Sequence, residues 1–346
     1  MSSPDTYLPA WIKGDGPDSD VVVSTRARLA RSLADFPFPS RASREDLSRV
    51  VDQVRTAASA LTSMFPGLRS LDLQDLTSRQ KAFLLDARIV SPEQALGGDH
   101  RAVIVEPGGR LSIMVNEEDH IRLQAVMSGF APEDAWELVD WADDVLGSRV
   151  EYGFSSQYGY LTSSVSNVGT GLRVSVLMYL GGLAWMKKAN AHLRAAFDLG
   201  VSVRGLFGEG SQFAGDMFQV SNEVTLGLTE SEIVKRVRSV AQYLLEEERS
   251  ARKELIGEER NRLMEKASRS LAKLQNARAV RSGEAITLIS PLRLAGALGL
   301  VENGSAALFD ELLVGSGLAA GDEPAANMER AEFLRNRLGE VHIGSC

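Results

Sequence analysis

The sequence predicts an α+β domain followed by a smaller domain that is entirely helical. Two observations lead to this prediction. Short β-branched runs bounded by turn residues alternate irregularly with segments whose apolar residues recur every three or four positions, which indicates mixed strands and helices without a repeating unit. From residue 229 onward the pattern is helical and rich in charge. We place the boundary near residue 255, which gives domains of residues 1–255 and 256–346.

The strand predictions rest on turn residues that flank β-branched or apolar runs. Residues 21–23 follow a region of Gly, Pro and Asp, while residues 102–105 and 111–115 flank a Pro-Gly-Gly turn, which indicates a hairpin. Residues 172–180 and 200–206 are typical of further strands, and the second of these precedes a glycine-rich stretch.

The helix predictions rest on apolar residues spaced for one helical face. In the first segments a proline also suits a helical first turn, and in the long central segment Glu alternates with Arg and Lys as on solvated faces. The predicted helices cover residues 44–64, 132–146, 183–197, 229 to about 277, 288–300, 306–313 and 328–338.

Composition excludes several classes of protein. The chain has 346 residues, of which 44% are hydrophobic and 24% charged. Its longest apolar stretch, residues 174–186, is about 13 residues long and contains glycines, whereas a membrane helix needs about 20. The N-terminus lacks the basic and then apolar pattern of a secretory signal, so no export and no membrane association are expected and the cytoplasm is the predicted location.

Cysteine content and charge narrow the possible ligands. The only cysteine is Cys346, which excludes an internal disulfide framework and a cysteine-rich metal site. The formal net charge of −8 argues against nucleic acid as the main partner, because such binding depends on clustered basic contacts to phosphate. The early cluster Arg26, Arg28 and Arg31 nevertheless allows a local anion site.

The segment STRARLAR, residues 24–31, alternates Arg with small or apolar residues. On a strand, Arg26 and Arg28 would point to one face. Two planar guanidinium groups on one face bind phosphate oxygens in a forked geometry and stay charged at any relevant pH. The segment therefore suggests a polyphosphate clamp, although a solvated basic strand edge has the same pattern.

The segment NEEDHIR, residues 116–122, places three acids directly after a predicted strand. An exposed acidic loop would explain the pattern. The chemical alternative is a carboxylate that holds a guanidinium group by two parallel hydrogen bonds and takes its proton during a reaction, since the free group has a pKa above about 12.

Two glycine-rich segments complete the set of candidates. GYLTSSVSNVGTGLR, residues 159–173, could bring backbone N–H groups close to an anion, with Arg173 adding charge. RGLFGEGSQ, residues 204–212, joins an arginine to an acidic glycine loop. A plain turn and a mobile surface loop are the respective alternatives.

Taken in order, STRARLAR, NEEDHIR, LTSSVSNVGTGLR, RGLFGEGSQ and QVSNEVTLG resemble the catalytic domain of the phosphagen (guanidino) kinases over about residues 10–255. Within that family, WIKGDGPDSDVVVSTRARLAR, NEEDHIRLQ, VGTGLR and EEERSAR resemble the protein-arginine kinases. Creatine and arginine kinases carry an additional N-terminal helical domain, whereas protein-arginine kinases carry a C-terminal one. The resemblance implies an antiparallel sheet flanked by helices, similar to glutamine synthetase.

The resemblance also implies an activity, namely transfer of the γ-phosphoryl group of ATP to arginine side chains of proteins, which marks them for Clp-type degradation or regulation. Mg²⁺ is expected on the phosphate oxygens and not in a protein metal site. Glu118 would hold the target arginine and act as base, with Ser164 and Gln212 at the other catalytic positions. The implied nucleotide contacts are Ser24, Thr25, Arg26, Ala27, Arg28, Arg88, Arg122, Arg173, Val174, Ser175, Val176, Leu177, Arg204, Gly205, Leu206, Phe207, Gly208 and Glu209.

The chain departs from the family pattern at four places. Ser164 replaces a reactive cysteine, and a hydroxyl does not ionise as a thiol does. Gln212 replaces a second glutamate, for which nearby Glu209 would be the substitute, and Arg88 replaces a histidine near the nucleotide base. Residues 326–331, ANMERA, keep only the second half of the RDxxRA motif that forms a phosphoarginine pocket in protein-arginine kinases.

Three functions therefore remain open on the sequence alone. They are an active protein-arginine kinase, a catalytically impaired nucleotide-binding homologue that acts as an adaptor, and a kinase for a small guanidino metabolite. The partners that the resemblance implies are proteins with exposed arginines, a zinc-binding activator protein, a heat-shock repressor and a Clp protease. It also implies a homodimer.

Overall fold

The computed structural model describes residues 9–205, 214–317 and 321–344. Its described strands are β1 (Val22–Arg31), β2 (Arg69–Asp72), β3 (Ala102–Val105), β4 (Leu111–Val115), β5 (Ile121–Ser128), β6 (Phe154–Ser155), β7 (Gly159–Tyr160), β8 (Leu172–Tyr179), β9 (Val201–Gly205), β10 (Met217–Asn222), β11 (Val301–Glu302) and β12 (His342–Ile343). Within these ranges, eight strands form one sheet in the order β2-β3-β4-β5-β1-β8-β10-β9, and every neighbouring pair is antiparallel. The α+β class and the antiparallel sheet are thereby confirmed.

Helices pack on both sides of the sheet but leave the centre of one face uncovered, and they continue beyond the sheet in the C-terminal part. In the described ranges, no helix combines the length and apolar character that a bilayer span requires. The helices are α1 (Arg44–Ala58), α2 (Ser78–Asp86), α3 (Pro92–Ala95), α4 (Pro132–Gly147), α5 (Gly181–Trp185), α6 (Ala189–Asp198), α7 (Glu230–Glu258), α8 (Arg260–Asn276), α9 (Ser282–Ala297), α10 (Ala306–Gly315) and α11 (Pro324–Leu338).

Two predicted helices are each divided in two. The helix predicted over residues 183–197 is α5 and α6, because Lys187 between them adopts a left-handed conformation with φ of 59°. The helix predicted from 229 to 277 is α7 and α8, which meet at Glu259, where φ is −124° and ψ is 9°. Helix α7 begins at a capping box in which Thr229 and Glu232 exchange hydrogen bonds with each other's backbone.

Strand alternation gives the sheet two faces of different character. Ala27, Leu29, Leu123 and Val174 belong to one buried cluster with apolar residues of α1, α4 and α7. The residues between them on the same strands point to the opposite face. Helices α1, α4 and α7 therefore cover one face. On the other face, Leu84 of α2 packs against Val103 and Met114 near one edge of the sheet, and the central strands remain available for polar side chains.

The C-terminal helices cover one end of that second face. Leu177 and Tyr179 of β8 share a buried cluster with residues of α8 and α9. Helix α7 passes through residue 255 without a break, so the predicted boundary lies inside this helix. Its buried Arg252 binds Glu248 and Asp20 at 2.7 and 3.1 Å. These ion pairs hold α7 to the segment before β1, whereas the two parts of the chain are joined by the continuous helix and by the shared apolar cluster.

Candidate active site

Five arginines lie together on the sheet face opposite α1, α4 and α7. Arg28 of β1 is directly opposite Arg173 of β8. Arg122 of β5 is opposite Ala30, two residues along β1 from Arg28. The strands that supply the set are β1, β5, β8 and β9, and its members are Arg26, Arg28, Arg122, Arg173 and Arg204. Strand pairing puts all of these positions on the same side of the sheet. The fold therefore brings arginines from separate sequence segments to one surface.

The cluster is electrostatically costly without a bound anion. Burial, and then repulsion from Arg28, Arg88, Arg122 and Arg173, lowers the pKa of Arg26 well below its usual value. Burial and neighbouring arginines also lower the pKa of Arg28 and of Arg173. The Nε atoms of Arg26, Arg28 and Arg173 are buried and without a hydrogen-bond partner within the described ranges. Buried donors in a set of like charges fit a ligand with several anionic oxygens.

Arg88 joins this cluster from a turn between α2 and α3, where its φ is 61°. Its guanidinium group donates to Ser24 Oγ at 2.8 Å and to Gln219 Oε1 at 3.0 Å. The same oxygen of Gln219 accepts a hydrogen bond from Arg26 at 3.3 Å. Burial lowers the pKa of Arg88 to about 10. Arg88 is thus a further cation on the arginine face, and its contact with the nucleotide stays a prediction.

Several predicted nucleotide contacts have side chains that point elsewhere. Thr25 donates to the carbonyl of Gly129 at 2.7 Å, and Leu177 lies buried beneath the C-terminal helices. Ser175 is on the arginine face, where its hydroxyl is buried and unpartnered among the described groups. Gly205 ends β9. The side chains that strand alternation turns into the helix-packed core, away from the arginines, are those of Ala27, Val174 and Val176.

Arg31 does not take part in an anion site with Arg26 and Arg28. It follows them by an odd number of residues and therefore points to the helix-packed face. Its guanidinium group forms a buried ion pair with Asp143 of α4 at 2.7 Å and lies 3.5 Å from the ring centre of Tyr160. Arg31 therefore anchors the end of β1 to α4, and its inclusion in the anion cluster is corrected.

The predicted base lies in the turn between β4 and β5. Glu118 is exposed, whereas its neighbours Glu117 and Asp119 are buried. Glu117 pairs with Arg122 at 2.5 Å and accepts a hydrogen bond from Ser91. Burial acts to raise the pKa of Glu117, but the charge and hydrogen bonds of Arg122 outweigh it and hold that pKa below its usual value. Of the three acids, Glu118 is consequently the one open to an incoming substrate.

Asp119 connects this turn to the loop that contains Ser164. Its carboxylate accepts hydrogen bonds from Ser32 Oγ at 3.0 Å and from the backbone N–H of Ser163 at 2.6 Å. A third bond comes from Asn167 at 3.4 Å. Ser164 itself follows, with its Oγ 2.9 Å from that of Ser166. The Glu118 turn and the Ser164 loop are therefore held side by side.

Five of the predicted positions lie outside the described residues, and three residues of the site were not predicted. Leu206, Phe207, Gly208, Glu209 and Gln212 lie outside the described residues. The motif segments contained Glu117, Asp119 and Gln219, but no role was predicted for them. Alternation along QVSNEVTLG could have placed Gln219 on the arginine face. The partners of Asp119 are 44 to 87 residues away in sequence, so no local pattern reveals them.

Two observations concern metal and allosteric sites. In the described part of the chain, no group of three or more His, Cys, Asp or Glu side chains could hold a metal ion. Arg330, in the surviving half of the RDxxRA motif, is buried and donates to the carbonyls of Val280, Gly317 and Gly321 at 2.9, 3.1 and 2.8 Å. Its donors thus hold the surrounding backbone in place.

Comparison with family models and relatives gives a consistent result. The model of the ATP:guanido phosphotransferase C-terminal catalytic domain matches residues 49–251. That of the protein-arginine kinase McsB C-terminal domain matches residues 260–344. A protein-arginine kinase of Pelotomaculum thermopropionicum is 38% identical over 306 residues, which cover 88% of this chain and 86% of that protein. One from Halothermothrix orenii is 34% identical over 342 residues, covering 96% and 97%.

Solved structures share the fold at lower identity. Lombricine kinase superposes with a TM-score of 0.60 at 24% identity and covers 72% of each chain. The duplicated taurocyamine kinase of Schistosoma mansoni superposes with a TM-score of 0.59 at 24% identity, over 72% of this chain and 34% of that one. The resemblance drawn from the motifs is confirmed by the two domain matches together with the identity over most of the chain. The chain belongs to the ATP:guanido phosphotransferase family and, within it, to the protein-arginine kinases.

Proposed function

We propose that this chain transfers the γ-phosphoryl group of ATP to arginine side chains of proteins and that the arginine face and Glu118 form its active site. The observation that supports this most is the set of buried guanidinium Nε atoms that have no partner among the described residues and lie beside the turn that exposes Glu118. A polyphosphate supplies the anionic oxygens that these donors lack. An exposed carboxylate at the rim supplies the acceptor that an incoming guanidinium group needs.

The arginines would act by charge and position. In phosphoryl transfer the bond from phosphorus to the leaving oxygen of ADP breaks as the bond to the attacking nitrogen forms, and negative charge spreads over the transferred group. Arg28, Arg122 and Arg173 lie on three adjacent strands, so their positions are fixed by the sheet before substrate arrives. Preorganised cations stabilise that charge without reorganising during the reaction.

Glu118 would orient the acceptor and take its proton. A carboxylate binds a guanidinium group by two parallel hydrogen bonds, which directs one nitrogen toward the phosphorus. The proton that this nitrogen loses as the new bond forms passes to the Glu118 carboxylate. Asp119, bonded to Ser32 and to the Ser163 backbone, holds the turn that presents Glu118.

Mg²⁺ would enter with the nucleotide. It binds phosphate oxygens and water readily and needs few carboxylate ligands, so a site rich in arginine fits a metal carried by ATP. When bound, it neutralises charge on the phosphates. A cytoplasmic location, a zinc-binding activator protein, a heat-shock repressor and a Clp protease as partners, and a homodimer are parts of the same proposal. They follow from the family assignment alone.

The direct test is formation of phosphoarginine. The purified full chain is incubated with magnesium and ATP and an unfolded acceptor protein, and acid-labile phosphoarginine is measured by mass spectrometry at neutral pH. We expect the product with the unaltered chain and at least about a hundredfold less with Glu118→Ala. A yield equal to that of Glu118→Ala would contradict the activity and favour the adaptor function. Phosphorylation of free arginine in preference to protein would favour a small-metabolite kinase.

A further inference from the structure

An exposed apolar groove lies beside the loops that carry the candidate active site. Phe154, Tyr158 and Leu226 are 61%, 48% and 53% exposed. They line a surface groove of about 260 Å³ together with Tyr160 and Leu228. A single exposed apolar side chain is ordinary on a protein surface, but a contiguous group marks a binding surface.

The floor of this groove is anchored to the core. The short hairpin of β6 and β7 brings the rings of Phe154 and Tyr160 into an edge-on contact with centroids 5.3 Å apart. Tyr160 in turn rests on the guanidinium group of Arg31, which is paired with Asp143 in the core. The apolar side chains are thus presented by a fixed element, which reduces the entropy lost when a partner binds.

Hydrogen bonds join the groove to the catalytic loops. Thr225, next to Leu226, accepts a hydrogen bond at its carbonyl from the backbone N–H of Thr170 at 3.0 Å. Its hydroxyl reaches the carbonyl of Ser166 at 3.0 Å and that of Val168 at 2.7 Å. The Ser164 loop therefore lies between the groove and the turn of Glu118, to which Asp119 fastens it.

Sheet register places all of these loops at one end of the sheet. Arg31, the last residue of β1, pairs with Ile121, the first of β5. Leu29 pairs with Leu172, the first residue of β8, and Ser221 near the end of β10 pairs with Ser175. The turn of Glu118, the Ser164 loop and the loop of Leu226 consequently emerge side by side, close to Arg28, Arg122 and Arg173.

We propose that this groove binds apolar side chains of an extended client polypeptide on one side of the arginine to be phosphorylated. The proposal rests on the proposed function and specifies its substrate class. The Ser164 loop is bonded to the Glu118 turn on one side and to Thr225 on the other, so a client chain whose arginine is held at Glu118 crosses this loop to reach the groove. Folded proteins bury most of their apolar side chains, whereas unfolded segments offer an arginine and apolar neighbours together. The groove therefore favours client segments in which apolar residues lie beside the arginine.

The experiment compares two acceptor peptides with paired variants of the full chain. Both peptides contain one central arginine, flanked in one peptide by Leu and Phe and in the other by Ser and Gly. The groove variants are Phe154→Ala and Leu226→Ala, singly and combined. The matched controls are Phe197→Ala and Leu199→Ala, which remove residues of the same types that are 58% and 56% exposed outside the groove. Peptide binding is measured by fluorescence anisotropy, and phosphoarginine formation by initial rates.

We expect the unaltered chain to have a KM about tenfold lower for the apolar peptide than for the polar one, because partial burial of two apolar side chains in an open groove makes a difference of at least this order. The combined groove variant should lose this preference in both KM and anisotropy, while the control pair keeps it. Equal preference in the groove and control variants would overturn the proposal, as would self-association that depends on the groove and excludes the peptide. Absence of phosphoarginine from every reaction would contradict the proposed function alone, since anisotropy still reports whether the groove binds the apolar peptide.

Discussion

Arg28 and Arg173 lie directly opposite each other on adjacent strands, with both guanidinium groups on the same face of the sheet. Like charges in this relation destabilise a sheet. The repulsion between them lowers the free energy of unfolding unless a bound anion neutralises it. A nucleotide that binds here relieves this repulsion and so stabilises the folded chain. Replacing either arginine should therefore raise the stability of the ligand-free chain and lower its affinity for the nucleotide.

We expect Arg28→Met to stabilise the ligand-free chain by about 1 kcal/mol, because it removes the repulsion and retains an apolar stem. The same change should weaken ATP binding about 10- to 100-fold, since hydrogen bonds to charged groups contribute about 1.5–3 kcal/mol each. Thermal unfolding without ligand and calorimetric titration with ATP measure the two effects. Arg194→Met, on the exposed surface of α6, is the control and should leave ATP affinity unchanged. A variant that is both less stable and unaltered in ATP affinity would contradict the role of Arg28.

Asp119→Asn should reduce kcat without changing ATP affinity. The amide retains one oxygen, so it cannot accept all three bonds that now come from Ser32, Ser163 and Asn167. The Ser164 loop would then shift relative to Glu118, and a small misplacement of the acceptor costs about a hundredfold in rate. Single-turnover kinetics at saturating ATP measures this loss. Equal losses in kcat and in ATP affinity would indicate general destabilisation and contradict a positioning role.

Ser164→Cys should increase kcat by about tenfold, because a thiolate beside the acceptor adds the negative charge that a hydroxyl cannot supply. The rate should also acquire a new dependence on pH near the ordinary thiol pKa of about 8.5. Initial rates between pH 6 and 9 measure both effects. Ser166→Cys is the control, because it places a thiol two residues further along the same loop. The hydroxyl oxygens of Ser164 and Ser166 are 2.9 Å apart, and this variant should show neither effect. A lower rate for Ser164→Cys at all pH values would show that the serine is better adapted to this site.

The buried pair of Arg293 and Asp310, 2.5 Å apart, predicts a pH-dependent stability. Burial raises the pKa of Asp310 to about 6 despite the charge of Arg293. Between about pH 4 and 6 the folded chain keeps a proton that the unfolded chain has released, so stability from this group falls as pH rises through that window. Relative to Asp310→Asn, the free energy of unfolding of the unaltered chain should fall by up to about 3 kcal/mol between about pH 4 and 6. Urea unfolding at several pH values tests this, with Asp310→Ala as a second uncharged reference. If the unfolding free energy of the unaltered chain relative to the variants stayed constant or grew with pH, the prediction would be contradicted.

The sequence predicted those parts of the fold that have local signals. The hairpin over residues 102–105 and 111–115 and the helix that begins at Pro132 correspond to β3, β4 and α4. Strand β2, residues 69–72, was not predicted, because its short polar sequence carries no alternation. Strand β10 was not predicted either. Its mixed sequence acquires strand character from pairing with β8 and β9, which no local pattern contains.

For the site, alternation on a strand was sufficient to place Arg26 and Arg28 on one face. The same alternation should have separated Arg31 from them. Convergence of Arg122 and Arg173 on that face depended on the register between strands far apart in sequence, so only the family resemblance suggested it. The role of Asp119 was invisible for the same reason, since its partners come from two other loops.

The C-terminal helices lie over Leu177 and Tyr179, at one end of the face whose other end carries the arginines. A chain truncated at residue 255 would expose this strip of the sheet to water and end within helix α7. The N-terminal portion should therefore aggregate when produced by itself. An exchange of C-terminal portions between relatives should give well-behaved hybrids only when the sheet residues beneath are exchanged as well.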